Sequence, residues 1–285
     1  MGRHLVESLL SKNANVTVLV RRKDALPSQS SIEMIEADIL KDFDLPKFDI
    51  VFHLAGFIDV SECLKNPRKA FEVNALGTLN LLEKVGKKAA KFVYASTIGV
   101  YGENATVPVD EKQMPLPTEI YAASKYAAEN IILSYKKTCG INAVIARIAN
   151  CYGEGQNDRF IIPCIIRQLL TKDIVELGCI TSIRDFLYVK DVISALVLLA
   201  QKAEEDVYNV GSGIGTIIGD IPKFFSTIAN KKWEVVSLES KKRPVGINRS
   251  IADVSRLKKL GWTPQYSLQD GLLKTYRYYQ ERLKF

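Results

Sequence analysis

The sequence predicts an α/β fold, a doubly wound parallel sheet built from the first half of the chain, followed by a smaller mixed α/β lobe. Three observations carry this. Short apolar runs alternate with amphipathic helical stretches as far as about residue 150. The runs are nearly continuous in apolar and β-branched residues, as strands buried on both faces of a parallel sheet are. Beyond that point the pattern loosens into loops around Gly153-Glu-Gly155 and Gly211-Ser-Gly213. At 285 residues the chain suits one large or two domains. The expected division is 1–150, with 186–205 returning to it, and 151–285.

Taken in order, the chain opens in a helical pattern, Arg3 to Leu10, with no strand in front of it. A doubly wound nucleotide-binding domain ordinarily starts with a strand and a Gly-rich turn that feed this helix, about ten residues in all. Of that turn only Gly2 is present, which reads as a truncated start or as a chain that has lost its pyrophosphate cradle. Val16–Val20 is the first strand pattern, followed by Asp49–Leu54, Lys91–Ala95 and Asn142–Ala146. Helical patterns cover Pro67–Lys88 and Tyr121–Thr138, and strand–helix alternation of this kind is the signature of a doubly wound sheet. Ligands of such sheets bind at the carboxyl ends of the strands. A last helix is expected over Leu268–Leu283.

Composition narrows the function classes. Hydrophobic residues make up 47% and charged residues 25%, an ordinary globular balance. The net charge is +7, but the basic residues are scattered, with no cluster beyond Lys241-Lys242-Arg243, which argues against nucleic acid as a partner. Five cysteines without a Cys-x-x-Cys pair argue against a disulfide framework or a structural zinc site, and two histidines, His4 and His53, are too few for a His-rich metal centre. The longest apolar stretch, Val192–Ala200, is far short of the ~20 residues of a membrane span. No export signal is visible at the N-terminus, so a cytoplasmic protein without membrane or metal is expected.

The chemistry centres on Tyr121-Ala-Ala-Ser-Lys125. Four residues apart on a helix, phenol and ammonium share one face. Tyrosine, with a reference pKa near 10, is a poor base until a neighbouring cation favours the phenolate, and Lys125 is such a cation. Chance supplies such a pair in a chain with 12 tyrosines, so its weight comes from context. Ser96-Thr97 follows a strand pattern directly, at the end where a doubly wound fold places its site. Thr97 hydrogen-bonding a substrate oxygen, Tyr121 moving its proton and Lys125 tuning Tyr121 make a triad for alcohol–ketone interconversion. Taken singly, Tyr121 also reads as a packing residue and Thr97 as a helix cap.

A series of further motifs gives these residues a family context. Ala37-Asp38, His53-Leu-Ala-Gly56, Asn74 in Val73-Asn-Ala-Leu-Gly-Thr78, Ala95-Ser-Thr-Ile-Gly-Val-Tyr-Gly102 and Tyr121–Lys125 are followed by Arg147-Ile-Ala-Asn-Cys-Tyr-Gly153, Arg184-Asp-Phe-Leu-Tyr-Val189, Asn209-Val-Gly211, Arg243-Pro244 and Leu260-Gly-Trp262. In this order, nearly end to end, the sequence resembles the extended short-chain dehydrogenase/reductase superfamily, in its nucleotide-sugar epimerase and dehydratase branch typified by UDP-glucose 4-epimerase. The resemblance implies a Rossmann-like dinucleotide-binding domain in 1–150, a substrate-binding lobe in 151–285, and NAD or NADP as cofactor. It further implies that Gly2, Asp38, Ile39, Leu54, Ala55, Gly56 and Asn74 line the cofactor with Tyr121 and Lys125, that Thr97, Tyr121 and Lys125 are catalytic, that Asn150 meets the sugar or its phosphate, and that Arg184 and Arg243 clamp a nucleotide diphosphate. Family members are often dimers through the helices near Asn80 and Tyr126, so a homodimer is expected.

The departures from the family pattern are the missing Gly-rich turn, Gly246 where many 4-epimerases carry an aspartate, and Val20-Arg21-Arg22. An acidic residue at the end of that strand accepts the ribose hydroxyls of NAD, whereas Arg21 and Arg22 suit the 2′-phosphate of NADP. Thr97 is followed by Ile98 and Gly99 rather than by the carboxylates a dehydratase needs. The resulting expectation is C4 epimerisation of a UDP-hexose through a 4-keto intermediate. NADPH-dependent reduction of a 4-keto nucleotide sugar or related carbonyl, or a non-catalytic nucleotide-binding member, stand as alternatives.

Overall fold

The computed structural model describes residues 1–22, 32–85, 89–229, 232–241 and 246–282. In chain order the elements are α1 (Gly2–Leu10), β1 (Val16–Val20), β2 (Ile32–Glu36), β3 (Phe48–His53), α2 (Val60–Lys65), α3 (Pro67–Phe71), α4 (Gly77–Val85), β4 (Ala89–Thr97), α5 (Ile120–Cys139), β5 (Ala143–Ile148), β6 (Asn150–Tyr152), α6 (Ile161–Thr171), β7 (Ile174–Leu177), β8 (Ile183–Tyr188), α7 (Val189–Lys202), β9 (Val207–Val210), β10 (Gly215–Ile217), α8 (Lys223–Ala229), β11 (Glu234–Ser237), β12 (Arg249–Ser250), α9 (Ser255–Lys259) and α10 (Leu268–Arg282).

Four parallel strands form the central sheet in the order β3-β4-β5-β9, and β1 and β2 form a separate parallel pair. Side chains alternate across β4 and β5, and this divides the core in two. Val93, Ala95, Val144 and Ala146 pack with Leu5 of α1 and with Val192, Leu196 and Leu199 of α7. Phe92, Tyr94, Ala143 and Ile145 pack with Leu81 and Val85 of α4 and Ala128 and Ile132 of α5. Helices therefore cover both faces of the sheet, as the doubly wound expectation requires. All six residues of β5 are buried, which explains why it reads as an unbroken apolar run with one exception, Arg147. The second lobe holds β10-β8-β12, with β6 beside β8, and a parallel β7–β11 pair.

Two expectations shift. The strand Ile32–Glu36 carries a glutamate at its second and last positions and escapes a search for apolar runs. The helix expected over Pro67–Lys88 is interrupted by a π turn at Glu72–Leu76 and is described only as far as Val85. The chain runs back to the central sheet through α7, packed on β4 and β5, and β9, paired with β5, while Phe186–Tyr188 pair with β6. No helix among the described residues is long and apolar enough to cross a membrane.

Candidate active site

Between the carboxyl ends of the central strands and the second lobe lies a cleft of about 1380 Å³. Leu54, Thr97, Tyr121, Lys125, Asn150 and Arg184, scattered over 130 positions of sequence, all line it. Thr97 ends β4 and caps the short turn Ile98–Tyr101, its Oγ1 accepting the Gly99 N–H at 3.1 Å. That bond occupies one lone pair and leaves the hydroxyl proton to donate.

Tyr121 stands in the first turn of α5 and Lys125 one turn later, buried to 3% exposure. Lys125 makes no hydrogen bond or ion pair among the described residues; its Nζ lies 4.1 Å over the ring of Tyr94. Burial drives its pKa down to about 7 against the opposing pull of Glu129. The tyrosine departs from expectation: burial pushes it up, and Cys63 and Glu119 push the same way. A lysine whose own charge is suppressed near neutrality cannot by itself hold the phenol low.

The π turn explains the placement of Asn74. The extra residue per turn swings its amide toward the loop after β3, where Oδ1 accepts the Phe57 N–H at 2.7 Å and Nδ2 donates to the Phe57 carbonyl at 3.0 Å and to Ser124 Oγ at 2.8 Å. Ser124 in turn donates to the carbonyl of Tyr121 at 2.7 Å. Both amide protons of Asn74 are thus committed inside the protein, and it clamps the loop to the helix that carries Tyr121. Beneath it Thr78 donates to the Asn74 carbonyl at 2.6 Å, so the His53 Nε2 facing Thr78 Oγ1 at 2.9 Å is the protonated nitrogen. Burial holds His53 at about 3, neutral across the physiological range. A Cβ on Gly56 would stand 3.0 Å from Asn74 Oδ1 and 3.9 Å from Lys125 Nζ, so glycine keeps this corner open.

On the opposite wall, Asn150 opens β6 and donates to the Asp185 carbonyl at 3.2 Å, while Arg184 of β8 donates to the carbonyls of Ile183 at 3.0 Å and Asn248 at 3.3 Å. Arg243 lies outside the described residues. Met1, the residue before α1, lines the cleft, so the N-terminal end of that helix opens onto it. A Cβ on Gly2 would meet nothing within 4 Å. Arg21 and Asp38 line a separate groove of about 560 Å³ with Glu36 and Lys41, and Arg22 lies exposed at the end of β1. Ile39 points inward: it is 7% exposed and sits where a Cβ on Gly77 would fall, its carbonyl accepting from Asn80 at 2.9 Å.

Sequence reasoning missed several residues. Glu103 and Glu119 bring carboxylates to the cleft. Asp59 and Arg159 face each other at 3.9 Å, from the loop after β3 and the loop before α6. Below the site Glu129, fully buried, accepts from Arg147 Nε at 3.1 Å, from Arg147 NH2 at 2.7 Å and from Ser96 Oγ. Only Glu129 had a usable signal, since it continues the Tyr121–Lys125 stripe by four more residues.

Comparisons with known proteins identify the family. Residues 1–211 match the model of the NAD dependent epimerase/dehydratase family. GDP-6-deoxy-D-mannose reductase of Pseudomonas aeruginosa is 35% identical over 261 residues, covering 87% of this chain and 85% of that protein. The structure of Thermus thermophilus UDP-glucose 4-epimerase in complex with NAD superposes with a TM-score of 0.88 at 29% identity, covering 98% of this chain and 95% of the other. RMD from Pseudomonas aeruginosa complexed with NADPH gives 0.85 at 30% identity, over 99% and 96%. Among the relatives are nucleotide-sugar epimerases, dehydratases and reductases. By its family match and by this relative, the chain belongs to the NAD dependent epimerase/dehydratase family.

Proposed function

We propose that the protein is an NAD(P)-dependent enzyme that interconverts a hydroxyl and a ketone on a nucleotide-linked sugar, and that its reaction is C4 epimerisation of a UDP-hexose through a 4-keto intermediate. The observation that carries this reading is that Thr97, Tyr121 and Lys125 open into the same cleft that Asn150 and Arg184 line from the second lobe. Residues 1–150 with the returning segment hold the dinucleotide in this reading, and 151–285 the sugar nucleotide.

The residues present suit the cofactor. The end of α1 offers backbone N–H groups toward the cleft, and Gly56 leaves room beside Lys125. Leu54, Ala55 and Gly56 would lie along it and Lys125 would hold its ribose. Bound there, the cofactor would supply the acceptor and donor of a hydride. Tyr121, a neutral phenol here, would pass its own proton to the neutral amine of Lys125 as it takes that of the C4 hydroxyl and the ketone forms, and the transfer would reverse as the opposite epimer forms. Thr97, with its hydroxyl proton available, steadies the same oxygen. Arg184 presents a planar fork suited to diphosphate oxygens.

The test is incubation of the protein with UDP-glucose, with and without added NAD, followed by NMR of the anomeric protons. Appearance of UDP-galactose supports the reading; an unchanged spectrum in the presence of bound cofactor overturns it. A second reading, NADPH-dependent reduction of a 4-keto nucleotide sugar, is favoured by Arg21 beside Asp38 in the smaller groove and by the 35% identity to a reductase. Consumption of NADPH on addition of such a ketone, without epimerisation, selects it.

A further inference from the structure

We propose that Glu129 is a positioning residue of the site: clamped by Arg147 and Ser96 one helical turn below Lys125, it supplies the buried negative charge that this lysine faces. The inference rests on the reading that Lys125 belongs to the active site.

The geometry is unusually specific. Tyr121, Lys125 and Glu129 recur every four residues on α5 and so form one stripe, with adjacent side chains neighbouring each other. The upper two reach the cleft; the lowest is fully buried. Three donors fix its carboxylate: Arg147 Nε and NH2 from β5 and Ser96 Oγ from β4. Ser96 precedes Thr97 and is paired in register with Arg147, so the carboxylate that neighbours Lys125 also anchors the strand end that carries the Thr97 hydroxyl. Arg147 is itself held, its guanidinium 4.7 Å from the Tyr101 ring.

Among the described residues, Glu129 is the carboxylate whose charge acts on Lys125, although Glu103 and Glu119 share the cleft. Tyr121 and Glu129 face it from α5, Tyr94 from β4 and His53 from β3; Arg147 of β5 stands behind Glu129; Asn74 and Thr78 bring no charge. Both tyrosines are pushed upward by burial and stay neutral, and His53 is neutral as well. Glu129 opposes the burial that drives Lys125 down.

Stability measured against pH tests this without substrate or cofactor. Wild type and Lys125→Met are unfolded in urea between pH 5.5 and 9.5, and the difference between their stabilities gives the pH at which folded Lys125 takes up its proton. The same pair is compared in the Glu129→Gln background. The expected result is a midpoint lower by about one pH unit in that background. Glu129→Asp, which keeps the charge, is expected to restore most of it. Should Glu129→Gln fail to fold, Glu129→Gln combined with Arg147→Met removes both charges of the pair and is expected to move the midpoint in the same direction by less. A midpoint that coincides with wild type in the variant that folds overturns the proposal, because a solely structural Glu129 would lower stability alike at every pH. Absence of epimerase turnover would overturn the proposed reaction and leave this readout intact.

Discussion

Lys125 and Glu129 stand one turn apart on α5, both buried, and the structure treats their charges in opposite ways. Glu129 is given a two-pronged guanidinium and a hydroxyl, whereas Lys125 is given the face of an aromatic ring. A buried charge that is fully paired is scaffold: removing its partner is severe. A buried charge left without an ion pair lowers stability and titrates where a catalyst works. Burial therefore does not distinguish the working part of this helix from its foundation; pairing does.

Four substitutions would break or sharpen that contrast. The largest effect is expected from Tyr121→Phe, which removes the proton-transfer group and should lower turnover by about 10²–10⁴-fold while leaving reduced-cofactor fluorescence titrations unchanged. Steady-state kinetics decide it, and activity within tenfold of wild type would remove Tyr121 from the reaction. On the paired side, Arg147→Met strands the Glu129 carboxylate and should destabilise the fold by roughly 3–5 kcal/mol in urea unfolding.

Lys125→Met should do the reverse. The unfolded lysine holds its proton below 10.5 and the folded one only below about 7. Between these values the unfolded chain binds a proton that the folded chain does not, so wild-type stability falls as pH drops through that window and levels off below it. The methionine variant escapes this loss and should be more stable at neutral pH, on the order of 2–4 kcal/mol, at the expense of activity. Equal stability at pH 7 and pH 9.5 relative to wild type would contradict the suppressed charge. The smallest effect is expected at the second groove: Arg21→Ala should weaken NADPH binding about tenfold and leave NADH unchanged if that groove receives a 2′-phosphate.

Much of this was legible beforehand, for physical reasons that can be named. Val16–Val20 coincides with β1, and the patterns at 49–54, 91–95 and 142–146 fall on β3, β4 and β5; in β4 and β5, covered on both faces, burial leaves little room for polar residues. Ile32–Glu36 was invisible because its glutamates break the run. The π turn at Glu72–Leu76 has no signature in a helical pattern, yet it is what turns the Asn74 amide onto Phe57 and Ser124. The expectation that Lys125 lowers the pKa of Tyr121 failed for a tertiary reason: the depth at which α5 is buried suppresses the lysine's own charge and raises the phenol.

By itself, then, the sequence determined the alternating architecture, the spacing that puts Tyr121 and Lys125 on one helical face, and the position of Thr97 at a strand end, since these depend on periodicity and local chain geometry. Tertiary structure decided what shares a cleft and what is charged there. Asn150 and Arg184 join Thr97 only because β6 and β8 fold over the ends of the central sheet. Arg21 and Asp38 fall in a groove of their own. Glu129 finds Arg147 across 18 residues because β5 lies under α5. Contacts of that kind arise from packing, and the electrostatic character of each group follows from how deeply that packing buries it and what partner it brings.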